Sequence, residues 1–177
     1  MDTPDRPVIA YPGDPLSLAV PRPARADVYH RWMMDPDTAR GLGNRWPHTV
    51  ETHRRGWESG SGSNSHPFEL IDGTGGGAGI VKFDADDFVR SAEWTIYLAP
   101  EARGRGYAAE AARLSLAYAF DIAQLHSVWL RVLEPNKAAI RAYEKGGFRH
   151  AGVLRRGGYW GASPCDLVIM DAIPADR

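Results

Sequence analysis

Between Glu93 and Leu98, apolar Trp94, Ile96 and Leu98 alternate with Glu93, Thr95 and Tyr97. A period of two puts the two sets on opposite faces of a pleated strand. Pro100 ends the ladder. Beyond the turn Arg103-Gly104-Arg105-Gly106, apolar residues fall at Ala112, Leu116, Ala119 and Phe120, the spacing of one helix face. Upstream, residues 16–20 predict a strand, and residues 27–34 predict a helix with Val28, Tyr29 and Trp32 inward and Pro36 as its stop. Residues 41–48 have loop chemistry, and residues 50–58 can form a short second helix. The run SGSGSNS at 59–65 is too small and polar to pack and predicts a mobile loop. Strands are expected over 66–71 and 78–84, joined as a hairpin by the glycine-rich turn between them. Residues 84–87 read as a solvated acidic turn.

After the central helix, residues 127–133 alternate again and predict a strand parallel to the one at 93–98, reached by a helical crossover. Glu134-Pro135 breaks it, Asn136 stands where an N-cap opens a helix over 137–145, and Gly146-Gly147 closes that helix. Final strands are expected over 148–154 and 166–171, separated by a loop at Gly157-Gly158-Tyr159-Trp160. The class is α/β (α+β): a mixed, strongly twisted sheet of six or seven strands flanked by four helices. Residues 1–15, rich in Pro and Asp, are expected to be irregular, and 16–177 to form a single domain.

Composition narrows the function. A net charge of −1 gives no electrostatic footprint for nucleic acid. No apolar run approaches the roughly 20 residues of a membrane span, and no basic-then-apolar leader opens the chain, so a cytoplasmic location is expected. Cys165 is the only cysteine, which precludes an internal disulfide and reads as a small apolar residue more readily than as a nucleophile.

The turn at 103–106 carries the chemistry. Two glycines let a backbone approach closely, the first amides of the following helix are unpartnered, and two guanidinium groups stand nearby, so the natural guest is a phosphate or pyrophosphate. Gly104 to Ala109 also fits the dinucleotide pattern GxGxxA. That pattern needs a strand running straight into the turn, whereas Pro100, Glu101, Ala102 and Arg103 intervene here. Arg103, Gly106 and Ala108 instead fit Q/R-x-x-G-x-G/A, and Asn136, Tyr143 and Gly147-Phe148 stand in NKAAIRAYEKGGF. The two motifs, in this order, resemble the GNAT superfamily of N-acetyltransferases over about residues 66–171, and more loosely its RimJ/RimL-type branch. Ala151-Gly152 departs from that branch, which often has Glu before this glycine.

The resemblance implies acetyl-CoA as co-substrate, no metal, and direct transfer to a primary amine. It places the pyrophosphate against Arg103, Gly104, Arg105, Gly106, Tyr107 and Ala108, and the pantetheine arm along Tyr97, Leu98 and Ala99. Asn136 contacts CoA, caps its helix, or both. Tyr143 matches the tyrosine that protonates the departing thiolate, with packing on the sheet as the alternative. Glu93 is a base for the amine, an acceptor ligand or a structural carboxylate. Glu110 reads as a first-turn dipole partner. The N-terminal part covers the acceptor site, making Trp32, Trp46, Trp57, His30 and His48 candidates for its wall, or else core aromatics.

Deprotonation separates the acceptors. An α-amino group with a pKa near ~7.8 costs about 1 kcal/mol to neutralise at pH 7, against almost ~5 for a lysine-like amine. Without an evident strong base, the chain leans toward a low-pKa amine: a peptide N-terminus or an amino group on a small metabolite. The alternatives are an antibiotic- or polyamine-type acetyltransferase and, from another class, a non-catalytic CoA-binding regulatory module. Oligomeric state stays open between monomer and homodimer.

Overall fold

The structure, a computed structural model, describes residues 6–58 and 64–176, without the side chains of Trp57, Glu58 and Asp176. The proposed acceptor-wall side chain of Trp57 and most of the 59–65 loop therefore lie outside the described residues. In chain order the elements are β1 (Ile9–Tyr11), β2 (Leu16–Ala19), α1 (Ala26–Met34), α2 (Pro36–Leu42), α3 (Val50–Glu58), β3 (Ser65–Asp72), β4 (Gly77–Asp86) and β5 (Ser91–Leu98). Then follow α4 (Tyr107–Asp121), β6 (Ser127–Leu133), α5 (Lys137–Gly146), β7 (Arg149–Trp160) and β8 (Ser163–Ala172). The strands form one mixed sheet in the order β1-β2-β3-β4-β5-β6-β8-β7. Among the described residues only β5 and β6 pair in parallel, joined through α4 as the alternation predicts.

The mixed α/β architecture agrees with the sequence pattern, with one more helix and at least one more strand than expected among the described residues. Helix α2 is the added helix. Pro36 does stop α1, but it also occupies the first position of a new helix, where its missing N–H costs nothing. Asp35 caps that helix by accepting from Thr38 N at 3.1 Å, and Gly43 ends it at φ 72°. Strand β1 lies inside the 1–15 stretch expected to be irregular, with Ile9 opposite Ala19 and Tyr11 opposite Leu18. The loop expected at 157–160 is strand as well: Gly158, Tyr159 and Trp160 oppose Cys165, Pro164 and Ser163. An irregularity between Leu154 and Gly158 lets β7 resume its pairing there.

Register assigns the two faces of the sheet. Phe68, Val81 and Ile96 lie opposite one another across β3, β4 and β5, as do Phe83 and Trp94. This face packs on α4 and α5: Tyr118 of α4 sits 4.9 Å from Phe68, ring centre to ring centre, and Tyr143 of α5 sits 5.5 Å from Trp94. Helix α5 approaches α4 closely because residue 146 is glycine. A Cβ there would stand 2.4 Å from Ala112 Cβ and 2.9 Å from Ala109 O.

The other face carries Glu69, Ile80 and Tyr97 beneath α1. Glu69 is fully buried, yet both its oxygens are satisfied. Arg22 donates to Oε1 and Oε2 at 2.9 Å each, Arg25 Nε donates to Oε1 at 3.1 Å, and Tyr29 donates to Oε2 at 2.7 Å. This network fastens the chain leading into α1, and α1 itself, to the middle of the sheet.

Candidate active site

The parallel pairing of β5 with β6 is short. It runs Ser91↔Ser127, Ala92↔Val128 and Glu93↔Trp129, and then stops although both strands continue. Ala99 N donates to Ala78 O on the β4 side at 2.9 Å. By strand alternation, the peptide groups of Ile96 and Leu98 face the side that β6 has left. Ala99 is thus committed to the sheet, and its neighbours line the opening.

A cavity of about 730 Å³ fills this gap and passes through the sheet. Trp94, Ala108 and Tyr143 line it from the α4/α5 face, and Glu93, Thr95, Tyr97 and Arg131 from the opposite face. Helix α2 spans the second face through Asp37, Thr38, Gly41 and Leu42, and the 157–159 segment of β7 closes one side. The cavity reaches Arg103, Leu98 and Asn136, so it runs from the glycine-arginine turn to the start of α5.

Gly104 and Gly106 hold φ of 75° and 77°, the left-handed region that favours glycine, and a Cβ at either would meet no atom within 4 Å. The turn is therefore open above its backbone. Gly106 caps α4 without a side-chain bond, leaving the first amides of a fifteen-residue helix to an outside partner. This cradle fits a pyrophosphate. Arg105 is exposed beside it, whereas Arg103 turns away. One terminal nitrogen of Arg103 donates to Asp35 and, at 2.6 Å, to Thr38 Oγ1, fixing the turn to the start of α2. That contact holds the Asp35 carboxyl below the usual carboxylate range.

Tyr143 is half-buried, and desolvation pushes its pKa up to about 12. Its hydroxyl keeps its proton throughout the physiological range. Burial, with Tyr29 nearby, also raises the pKa of Tyr97. Glu93 forms a two-pronged pair with Arg131, Nε to Oε1 at 2.7 Å and the terminal nitrogen to Oε2 at 3.1 Å. Asn136 Oδ1 accepts from Ala139 N at 3.3 Å, so it caps α5 while lining the cavity. Glu110 sits in the first turn of α4 and pairs with Arg113. Desolvation, then Asp166 and Glu134, raise the Cys165 thiol, which disfavours a thiolate nucleophile.

Of the three proposed acceptor-wall tryptophans, Trp32 and Trp46 are absent from this lining. Trp32 is buried against Tyr29 and borders a separate cavity of about 610 Å³ with Arg25, Gly77 and Glu101. Trp46 is 82% exposed. His30 and His48 cluster with His53, ring centres 5.4 to 5.7 Å apart, between α1 and α3. Among the described residues, no group of three or more His, Cys, Asp and Glu side chains is placed to hold a metal ion. None of the described helices is long and apolar enough to cross a membrane.

Sequence reasoning missed Asp37, Arg45, Arg131 and Tyr159, all in the lining. Arg131 was accessible in principle: the alternation of β6 puts it on the face of Trp129, the partner of Glu93. Asp37, Arg45 and Tyr159 depended on α2 and the long β7, which the pattern did not reveal.

Residues 16–149 match the profile of the acetyltransferase (GNAT) domain. The chain is 38% identical over 77 residues to spermidine N(1)-acetyltransferase of Vibrio cholerae serotype O1, covering 43% of this chain and 44% of that protein. It is 37% identical over 83 residues to phosphinothricin N-acetyltransferase of Streptomyces coelicolor, covering 41% and 45%. It thus spans less than half the length of these curated relatives. Among solved structures, that of Vibrio cholerae spermidine N-acetyltransferase with CoA and spermine superposes with a TM-score of 0.85 at 22% identity, covering 93% of this chain and 98% of that one. At that identity the likeness establishes the fold.

Proposed function

The chain belongs to the acetyltransferase (GNAT) family, and from that premise we propose that it moves an acetyl group from acetyl-CoA to the primary amine of a small molecule, in a ternary complex. One observation carries the reading. The gap where β6 leaves β5 runs from an open double-glycine turn to a tyrosine that keeps its proton.

Each part has a task. The amides at the start of α4, with Gly104, Gly106 and exposed Arg105, receive the pyrophosphate. The peptide groups of Ile96 and Leu98 pair with the amide-rich arm as an added strand would, and one of their N–H groups donates to the acyl oxygen. Bound there, acetyl-CoA supplies an acyl group activated as a thioester. As the C–N bond forms and the C–S bond breaks, Tyr143 gives its proton to the departing sulfur and is reprotonated by the proton that the amine nitrogen sheds. Glu93 and Arg131, on the opposite face, orient the incoming amine. The named relatives act on spermidine and on phosphinothricin, which favours a small-molecule acceptor over a peptide N-terminus.

Thiol release from acetyl-CoA across a panel of small amines tests the reading, together with calorimetry of CoA binding. A branched side chain in the left-handed region costs about 1–2 kcal/mol, so Gly106→Val should weaken CoA binding about tenfold or more. NAD binding without a CoA signal would contradict it.

A further inference from the structure

The charges around the cavity do not balance, and the imbalance sits at one residue. Three guanidinium groups, of Arg45, Arg103 and Arg131, line it with two carboxylates, of Asp37 and Glu93. Both carboxylates are engaged by arginines: Glu93 by Arg131, and Asp37 by Arg40, with Arg103 at 3.8 Å. Arg103 is further tied to Asp35. Arg131 with Glu93, Arg103 with Asp35 and Arg40 with Asp37 make three pairs. Arg45 remains, and it forms no ion pair among the described residues. Its guanidinium rests on the ring of Tyr159, 5.1 Å from the ring centre, which orients it without neutralising it.

Arg45 belongs to a different part of the fold from the pyrophosphate cradle: its ring partner Tyr159 lies on β7, three strands from β5 in the sheet order, whereas the cradle is the turn that opens α4. A polycationic acceptor would find no free carboxylate among the described lining and one uncompensated positive charge. An acceptor with an anionic group would find an oriented guanidinium beside an aromatic ring. The geometry points to an acceptor that carries a carboxylate or another oxyanion besides its amine, with Arg45 as the residue that selects it. The inference rests on the transfer reading above and names its substrate class.

The test compares ω-amino acids, from glycine to 6-aminohexanoate, with their neutral ω-amino carboxamides and with spermidine, all at saturating acetyl-CoA. At least one amino acid is expected to exceed its carboxamide about 10- to 100-fold in kcat/KM, the worth of one charge-assisted hydrogen bond. Arg45→Gln should bring the ratio close to unity through the acceptor KM and leave the acetyl-CoA KM unchanged. Arg45→Glu should improve spermidine relative to the amino acids. Spermidine as the best wild-type acceptor, or acid and amide equal, overturns the inference and leaves the transfer reading intact. So does an Arg45→Gln effect confined to the acetyl-CoA KM, which would assign Arg45 to the phosphates of CoA. Thiol release with none of these amines overturns the inference, and only the loss of CoA binding by calorimetry as well overturns the transfer reading.

Discussion

Both carboxylate oxygens of Glu93 accept from the guanidinium of Arg131, at 2.7 and 3.1 Å, diagonally past Trp129, the last residue of β6 to pair with β5 before the strands separate. The pair joins the two strands on the α1/α2 face of the sheet just where their backbone ladder ends. A carboxylate held by both oxygens is better suited to positioning than to removing a proton.

Glu93→Gln keeps the side chain's shape and loses the charge that holds Arg131. It is therefore expected to raise the acceptor KM about tenfold, with kcat within about threefold of wild type. Initial-rate kinetics from pH 6 to 10 check this. A fall in kcat/KM at neutral pH that recovers as free amine accumulates would make Glu93 a general base instead.

Glu69 supports α1 from beneath. Glu69→Ala leaves Arg22, Arg25 and Tyr29 without their shared acceptor in a buried site, and breaking such a group typically costs about 3–5 kcal/mol. Urea unfolding at pH 7 should show a loss of this order. A loss below about 1 kcal/mol would mean that the network contributes little to holding α1.

The histidine cluster predicts an acid sensitivity distinct from that of the carboxylates. Burial, with His30 and His48 adding to it, lowers the pKa of His53 to about 4. Between that value and the unfolded value of roughly 6.5, the unfolded chain binds the extra proton, so stability falls as pH drops through this window and levels off below it. The ceiling is on the order of 3 kcal/mol. Unfolding midpoints measured from pH 7.5 to 4.5 should decline in wild type and flatten in His53→Phe. Asp35 and Asp72, whose pKa values are lowered chiefly by hydrogen bonds to Arg103 and Thr74, lose their contribution only as pH falls below roughly 4. An unchanged slope in His53→Phe would remove His53 from this role.

The part of the cavity built from β5, the glycine-arginine turn and α5 was the legible part. The alternation at Glu93 to Leu98, the glycine-arginine turn and the Asn136 cap each depend on neighbours in sequence, and all appear where the pattern puts them. The opposite side, built from α2 and the 157–160 part of β7, was not legible, because its geometry is set by long-range packing. Pro36 signals the end of one helix and the start of the next with the same ring. Gly157 and Gly158 read as loop, yet both lie within β7, and Gly158 pairs with Cys165 of β8. Trp32 and Trp46 carry no signal that separates the buried ring from the exposed one, and neither lines the main cavity.

Tyr143 holds its proton in the lining of the β5/β6 gap, and the proposed transfer depends on that proton. The most direct measurement is the turnover of Tyr143→Phe with acetyl-CoA and the best acceptor, beside calorimetric CoA binding by the same variant. The ring still packs on Trp94, so CoA affinity should stay within about twofold, while kcat falls about 100-fold, as expected when a general acid is removed. Wild-type kcat in a pre-steady-state experiment where transfer limits the rate would contradict the account.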